Sequence, residues 1–176
     1  MNIKEALLKE HSKLNSVAVA NWIGDDKDRV AELIDLFLNS EYRLTQRAAY
    51  VMLFVSDKHI ELFKPYVGVL LNNLENKKVH IAVKRNTIRL FQNLQIPKKF
   101  QGQAAEICFK YLETATEAIA VKCFAMKVIA NICENEPDLI QELQILVENQ
   151  YPYGSAGFKA RSKHIFKQLK IKSDII

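Results

Sequence analysis

Apolar positions in this chain return every three or four residues, with polar positions between them, the spacing of helices buried along one face. The pattern predicts helices in pairs. The first members fall near 28–39, 58–75, 97–113 and 137–150, and the second near 41–55, 77–95, 116–133 and 155–170. Pro97 and Pro137 stand where a helix begins, a position that tolerates a missing N–H. Asn135 and Ser155 are the expected N-caps. Pro65 falls inside an apolar-periodic segment and is expected to kink or divide it. The first 24 residues read as one long or two short helices carrying Ile3, Leu7, Leu14, Val17, Val19, Trp22 and Ile23.

The pairs repeat. Leu44-Thr-Gln-Arg47, Ile81-Ala-Val-Lys84, Ile119-Ala-Val-Lys122 and Ala156-Gly-Phe-Lys159 align without a gap, their basic residues 37, 38 and 37 positions apart. A two-helix unit at this period predicts an all-α solenoid, in which each unit buries its apolar face against its neighbours. At about 100° per residue, Ile81, Val83, Thr87, Ile88, Leu90, Phe91 and Leu94 cover one half of their helix. The columns Leu53, Leu90, Val128, Ile165 and Phe54, Phe91, Ile129, Phe166 stay apolar throughout, as a shared core demands. The column Thr45, Ala82, Ala120, Gly157 stays small, which suits close helix approach. The expectation is a single domain over 1–176: a cap at 1–24, then helix pairs at 25–57, 58–95, 96–134 and 135–172.

A second helix that opens with Val-Lys or Val-Arg and continues Ala-rich and apolar resembles a HEAT or armadillo-type repeat over residues 28–170. The resemblance implies a right-handed α-α superhelix. The stretches Thr45-Gln-Arg-Ala-Ala, Ala82-Val-Lys-Arg-Asn-Thr-Ile-Arg, Ala120-Val-Lys-Cys-Phe-Ala-Met and the segment 152–161 are also similar to a family of small bacterial HEAT-like proteins with no established activity. Some of these carry an automatic adenylosuccinate lyase label. Such a lyase implies a mobile Gly-Ser-Ser-Met-type loop and acid–base histidines from several subunits. This chain has Gly154-Ser155 followed by Ala156.

Arg47, Lys84, Lys122 and Lys159 sit within the apolar half of their helices. Each is expected to lay its stem on the core and reach a turn carbonyl or a neighbouring carboxylate with its charge, a structural role. In HEAT repeats the basic residue commonly links to an acid in the preceding turn. Here Glu41 and Glu117 are the equivalents.

Charge changes the picture. The segments 41–55, 77–95, 115–133 and 155–172 hold 15 of 25 basic residues and 2 of 20 acidic ones, a net +13, which leaves −8 for the rest of the chain. Opposite the core arc lie Arg85, Asn86, Arg89, Gln92 and Asn93 in the second repeat. The third has Cys123, Phe124, Lys127, Ala130 and Asn131, and the fourth Ala160, Arg161, His164, Lys167 and Gln168. The candidate binding strip is Arg85, Arg89, Lys127, Arg161, His164 and Lys167. Such a strip suits an acidic protein or peptide partner, or alternatively a nucleic-acid backbone. DNA-alkylation-repeat glycosylases, built of similar units, lend the second reading some weight, and a third reading is a solvated charged face with no ligand. They work with aromatic residues and a carboxylate on the concave face, however, and Trp22 lies outside the repeats. In the first repeat the equivalent positions (Ala48, Ala49, Met52, Val55 and Ser56) are apolar or small, and are expected to lie under the N-terminal helices.

The segment 151–161 holds Gly154-Ser155 at a helix start, with Lys159 and Arg161 close by. It is a weak candidate for an anion. The structural alternative gives Gly154 a positive φ, Ser155 a cap, Gly157 close packing, and Tyr151 and Tyr153 a covering role. His11, His59, His80 and His164 are dispersed, with no metal spacing. Cys108, Cys123 and Cys133 read as small apolar residues within helices. No catalytic residue, metal or cofactor is expected. With no apolar run near the ~20 residues of a membrane span and no secretion signal at the start, the expectation is a cytoplasmic, non-enzymatic interaction module.

Overall fold

The computed structural model describes residues 1–76 and 79–176, and among them the protein is all-helical, without a strand. It forms two compact units, Met1–Pro97 and Lys98–Ile176. The first holds α1 (Ile3–Lys9), α2 (Lys13–Ile23), α3 (Lys27–Asn39), α4 (Tyr42–His59), α5 (Val67–Leu74) and α6 (Ile81–Phe91). The second holds α7 (Lys98–Glu113), α8 (Ile119–Cys133), α9 (Ile140–Gln150) and α10 (Ala156–Leu169).

Local chemistry starts and stops these helices. Asn2, Ser12 and Asp26 each accept a hydrogen bond from an N–H in the first turn of α1, α2 and α3. Asn15 Nδ2 donates to the carbonyls of Ala6 and Glu10, tying α2 to the end of α1. The N-terminal segment is therefore two short helices. Gly24 ends α2 with φ of 55°, a conformation that favours glycine. Pro65 divides the segment after α4, as expected: Ile60–Tyr66 is a 3-10 helix and α5 follows it. Pro137 opens a short 3-10 turn, Pro137–Leu139, before α9.

Several boundaries differ from the sequence pattern. α4 runs on through Lys58 to His59, so the break between the first two repeats follows His59. The expected start of the next second helix, at Lys77, lies outside the described residues, and α6 begins at Ile81. Ile81 and Ile119, as first helical residues, are 45% and 46% exposed rather than core. Asn135 caps nothing: Glu136 precedes the 3-10 turn and makes no side-chain cap bond.

In the first unit α4 is central, packing against α1, α2, α3 and α6. Ala48, Ala49, Met52, Val55 and Ser56 are buried there, so the apolar strip is covered, with α1 and α2 among the helices on α4. In the second unit α8 is central, packing against α7, α9 and α10. The two core columns are buried in every repeat except at Phe54, which is half-buried with its ring 5.0 Å from that of Tyr50. Ala130, placed on the outer arc by the wheel, is fully buried: small, and on a helix packed on three sides, it lies within the core.

Candidate functional site

The repeated basic residues take different partners. Arg47 is buried, and its Nη1 donates to the carbonyls of Leu7 at 2.6 Å and Leu8 at 3.0 Å. These are carbonyls in the last turn of α1, where helical acceptors lack partners. Glu41, the acid expected for this ladder, stands at the start of α4 without a side-chain cap bond. Lys122 is buried, and its Nζ donates to Gln150 Oε1 at 2.7 Å, while Gln150 Nε2 donates to the Leu112 carbonyl at 3.0 Å. Burial holds the Lys122 amine below its ordinary value, and the charge of Glu117 partly offsets this. Lys84 and Lys159 are half-buried, Lys159 with Nζ 5.6 Å from the centre of the Tyr151 ring.

In the first unit Arg85 and Arg89 stand on α6. His80 caps this helix: its Nδ1 accepts from the Ala82 N–H at 3.0 Å, and its ring lies 4.2 Å from that of Tyr42 on α4. Val83, Thr87, Ile88, Leu90 and Phe91 bury the opposite face, which leaves Arg85 exposed and Arg89 half-buried. The two arginines line a pocket of about 260 Å³, with Gln46 and Tyr50 from α4 and His11 from the link between α1 and α2. The His11 ring meets Tyr50 edge-on at 6.3 Å. Two guanidinium groups beside an aromatic wall suit a carboxylate or another planar anion. His11, Gln46 and Tyr50 carry no local signal in the sequence: Gln46 and Tyr50 join the arginines through the packing of α4 against α6, and His11 through the α1–α2 link beside Tyr50.

In the second unit, Arg161, His164 and Lys167 follow one face of α10, with His164 and Lys167 exposed and Arg161 half-buried. Lys127 on α8 is half-buried and donates through Nζ to Gln168 Oε1 at 2.7 Å; Gln168 Nε2 donates in turn to Glu134 Oε1 at 2.9 Å. Burial lowers the Lys127 amine, Glu134 opposes that, and the positive charge of Arg161 adds to it. Lys127 is thus part of the α8–α10 contact, while His164 and Lys167 of α10 are exposed.

Gly154 and Ser155 behave as turn and cap, with corrections. Ser155 Oγ accepts from the Phe158 N–H at 3.2 Å. Gly154 has no positive φ; it is needed because a Cβ there would stand 2.7 Å from Cδ1 of the buried Phe158 ring. Gly157 is exposed, and a Cβ there would meet only Ser155 Oγ at 3.9 Å, so close packing does not require it. Tyr153 is 92% exposed and covers nothing. Gly154 and Ser155 do line a cavity of about 450 Å³ together with Lys122, Gln150, Ile119 and Phe158. The cation nearest this turn in the cavity wall is therefore Lys122 rather than the expected Lys159 or Arg161.

Among the described residues, no group of three His, Cys, Asp or Glu side chains stands close enough to hold a metal ion. No curated protein and no solved structure gives a significant match to the chain. The sequence model of the HEAT repeat domain matches residues 3–169, nearly the whole length. With its paired helices and a buried column in each second helix, the chain belongs to the HEAT repeat family.

Proposed function

We propose that the protein is a non-enzymatic binding module that takes an acidic segment of a partner protein on the basic faces of its second helices. HEAT repeats are generally protein-interaction scaffolds. The observation that carries the finer reading is the pairing of Arg85 and Arg89 over one pocket with His11 and Tyr50. Arg161 and Lys167, with His164 between them, offer a second basic face on α10. Arg47, Lys84, Lys122 and Lys159 are assigned to holding helices together. Among the described residues no helix is long and apolar enough to cross a membrane. The three free thiols fit a reducing compartment, which we take to be the cytoplasm.

The test is the Arg85→Glu/Arg89→Glu variant, titrated with a fluorescent peptide of alternating glutamate and leucine. We expect affinity to fall roughly tenfold or more, with helicity and melting temperature unchanged. Undiminished binding sinks the assignment. Retention on duplex and single-stranded DNA from low to high salt separates the nucleic-acid reading, because counterion release makes such binding fall steeply with salt. Retention at low salt that disappears in the same variant would favour it over the acidic peptide. Release of fumarate from adenylosuccinate would revive a lyase, and none is expected.

A further inference from the structure

The second unit also carries a surface of opposite character. A groove of about 720 Å³ runs between α7 and the turn leading into α9, within the size range of ligand clefts. Its floor includes Ala105, Phe109, Ile132 and Leu139. Gly102 lies there too, in the interior of α7 and exposed, and a Cβ at this position would meet nothing within 4 Å. Neither backbone conformation nor internal packing requires that glycine, and glycine in a helix interior is less stable than alanine. What it provides, one turn before Ala105, is a low-relief strip with room for another backbone to approach.

The groove is also strongly acidic. Glu106, Glu113, Glu136, Asp138 and Glu142 line it, against two ammonium groups, Lys98 and Lys110. All five carboxylates are exposed, and among the described residues none enters an ion pair. No three of them converge closely enough for a metal ion. The charge is spread along an apolar floor, which suits several separated cations flanking a hydrophobic stripe.

We propose that this groove docks a basic amphipathic helix of a partner protein, its apolar residues at i, i+3, i+4 and i+7 on the floor and its lysines or arginines along the acidic rim. This surface is independent of the basic faces of α6 and α10, and its partner has the opposite charge.

The experiment uses the full chain and a fluorescein-labelled synthetic helix of about 16 residues, leucines at that spacing and lysines on both flanks. The control peptide carries glutamines in place of the lysines. The lysine peptide should bind and the glutamine peptide should not. Gly102→Leu should weaken binding roughly tenfold or more by filling the strip. Gly102→Ala should raise the melting temperature by roughly 2–4 °C while weakening the peptide severalfold. The double variant Glu106→Lys/Glu142→Lys, confined to exposed side chains, should lose binding to a similar degree and serves as the test if Gly102→Leu does not fold. Equal binding of the two peptides, or undiminished binding to the double variant, overturns the proposal. Self-association of the wild type that vanishes in Gly102→Leu would make the occupant a second copy of this chain, and overturns it as well.

Discussion

Single residues record where burial has overruled the simple reading of a side chain. Thr87 is fully buried on α6, and its hydroxyl has no hydrogen-bond partner among the described residues. An unmet buried hydroxyl costs about 1–3 kcal/mol. Thr87→Val, nearly the same shape, should stabilise the protein by about 1 kcal/mol in denaturant unfolding, and a loss of stability would mean that the hydroxyl is satisfied in solution. Lys122 makes a prediction about pH. Folding lowers its amine below the ordinary 10.5, so in the alkaline window up to that value the unfolded state binds more protons. The contribution of Lys122 to stability should therefore rise with pH through that window. Subtracting the melting temperatures of Lys122→Met from those of the wild type, from neutral pH to 10.5, should leave a rising difference; a flat one would show that the amine is not desolvated. The wheel placed both residues in the apolar half. Which of them finds a partner, Lys122 through Gln150 and Thr87 through none, depended on other helices.

At the scale of the element, Arg47 shows how one helix is held by another. α1 has seven residues, too short to be stable alone. Ile3 and Leu7 bury its inner face, and the guanidinium of Arg47 completes the carbonyls of Leu7 and Leu8 at its end. Arg47→Met keeps most of the stem but removes the donors. It should cost roughly 1–3 kcal/mol and speed amide hydrogen exchange through residues 3–9 first. Unchanged exchange there would mean that water replaces the guanidinium without loss. The recurrence of the basic residue was plain in the sequence; that its acceptors are helix-end carbonyls forty residues away was not. Helix existence was similarly legible and helix ends less so. The break at Pro65 follows from a missing N–H, whereas the extension of α4 to His59 and the failure of Asn135 to cap depend on the path of the chain.

At the scale of the whole molecule, the cysteines give a census of burial. Cys108 and Cys133 are buried and Cys123 is half-buried. Burial pushes all three thiols up, Cys133 to about 11, while Arg161 pulls Cys123 partly back. A thiol reagent should therefore modify one cysteine in the native protein, slowly, and the other two on unfolding; rapid reaction of all three would contradict the helical core of the second unit, which holds all three. Both units are built around a second helix, α4 or α8, and both leave basic residues of another second helix, α6 or α10, outside the core. The periodicity of apolar residues and the period of the repeat determined by themselves that the chain is all-α and built of repeated helix pairs, because burying one face of each helix admits few other arrangements. Segregation of charge onto the second helices was likewise written in the sequence. Tertiary structure decided which charges remain available. Packing of α8 on α10 engaged Lys127, packing of α4 on α6 brought Tyr50 to Arg85 and Arg89 with His11 beside it, and the approach of α7 to the start of α9 made an acidic groove from carboxylates up to 36 positions apart. Such convergence depends on side chains from separate helices meeting, a long-range property that the periodicity of any one helix does not contain.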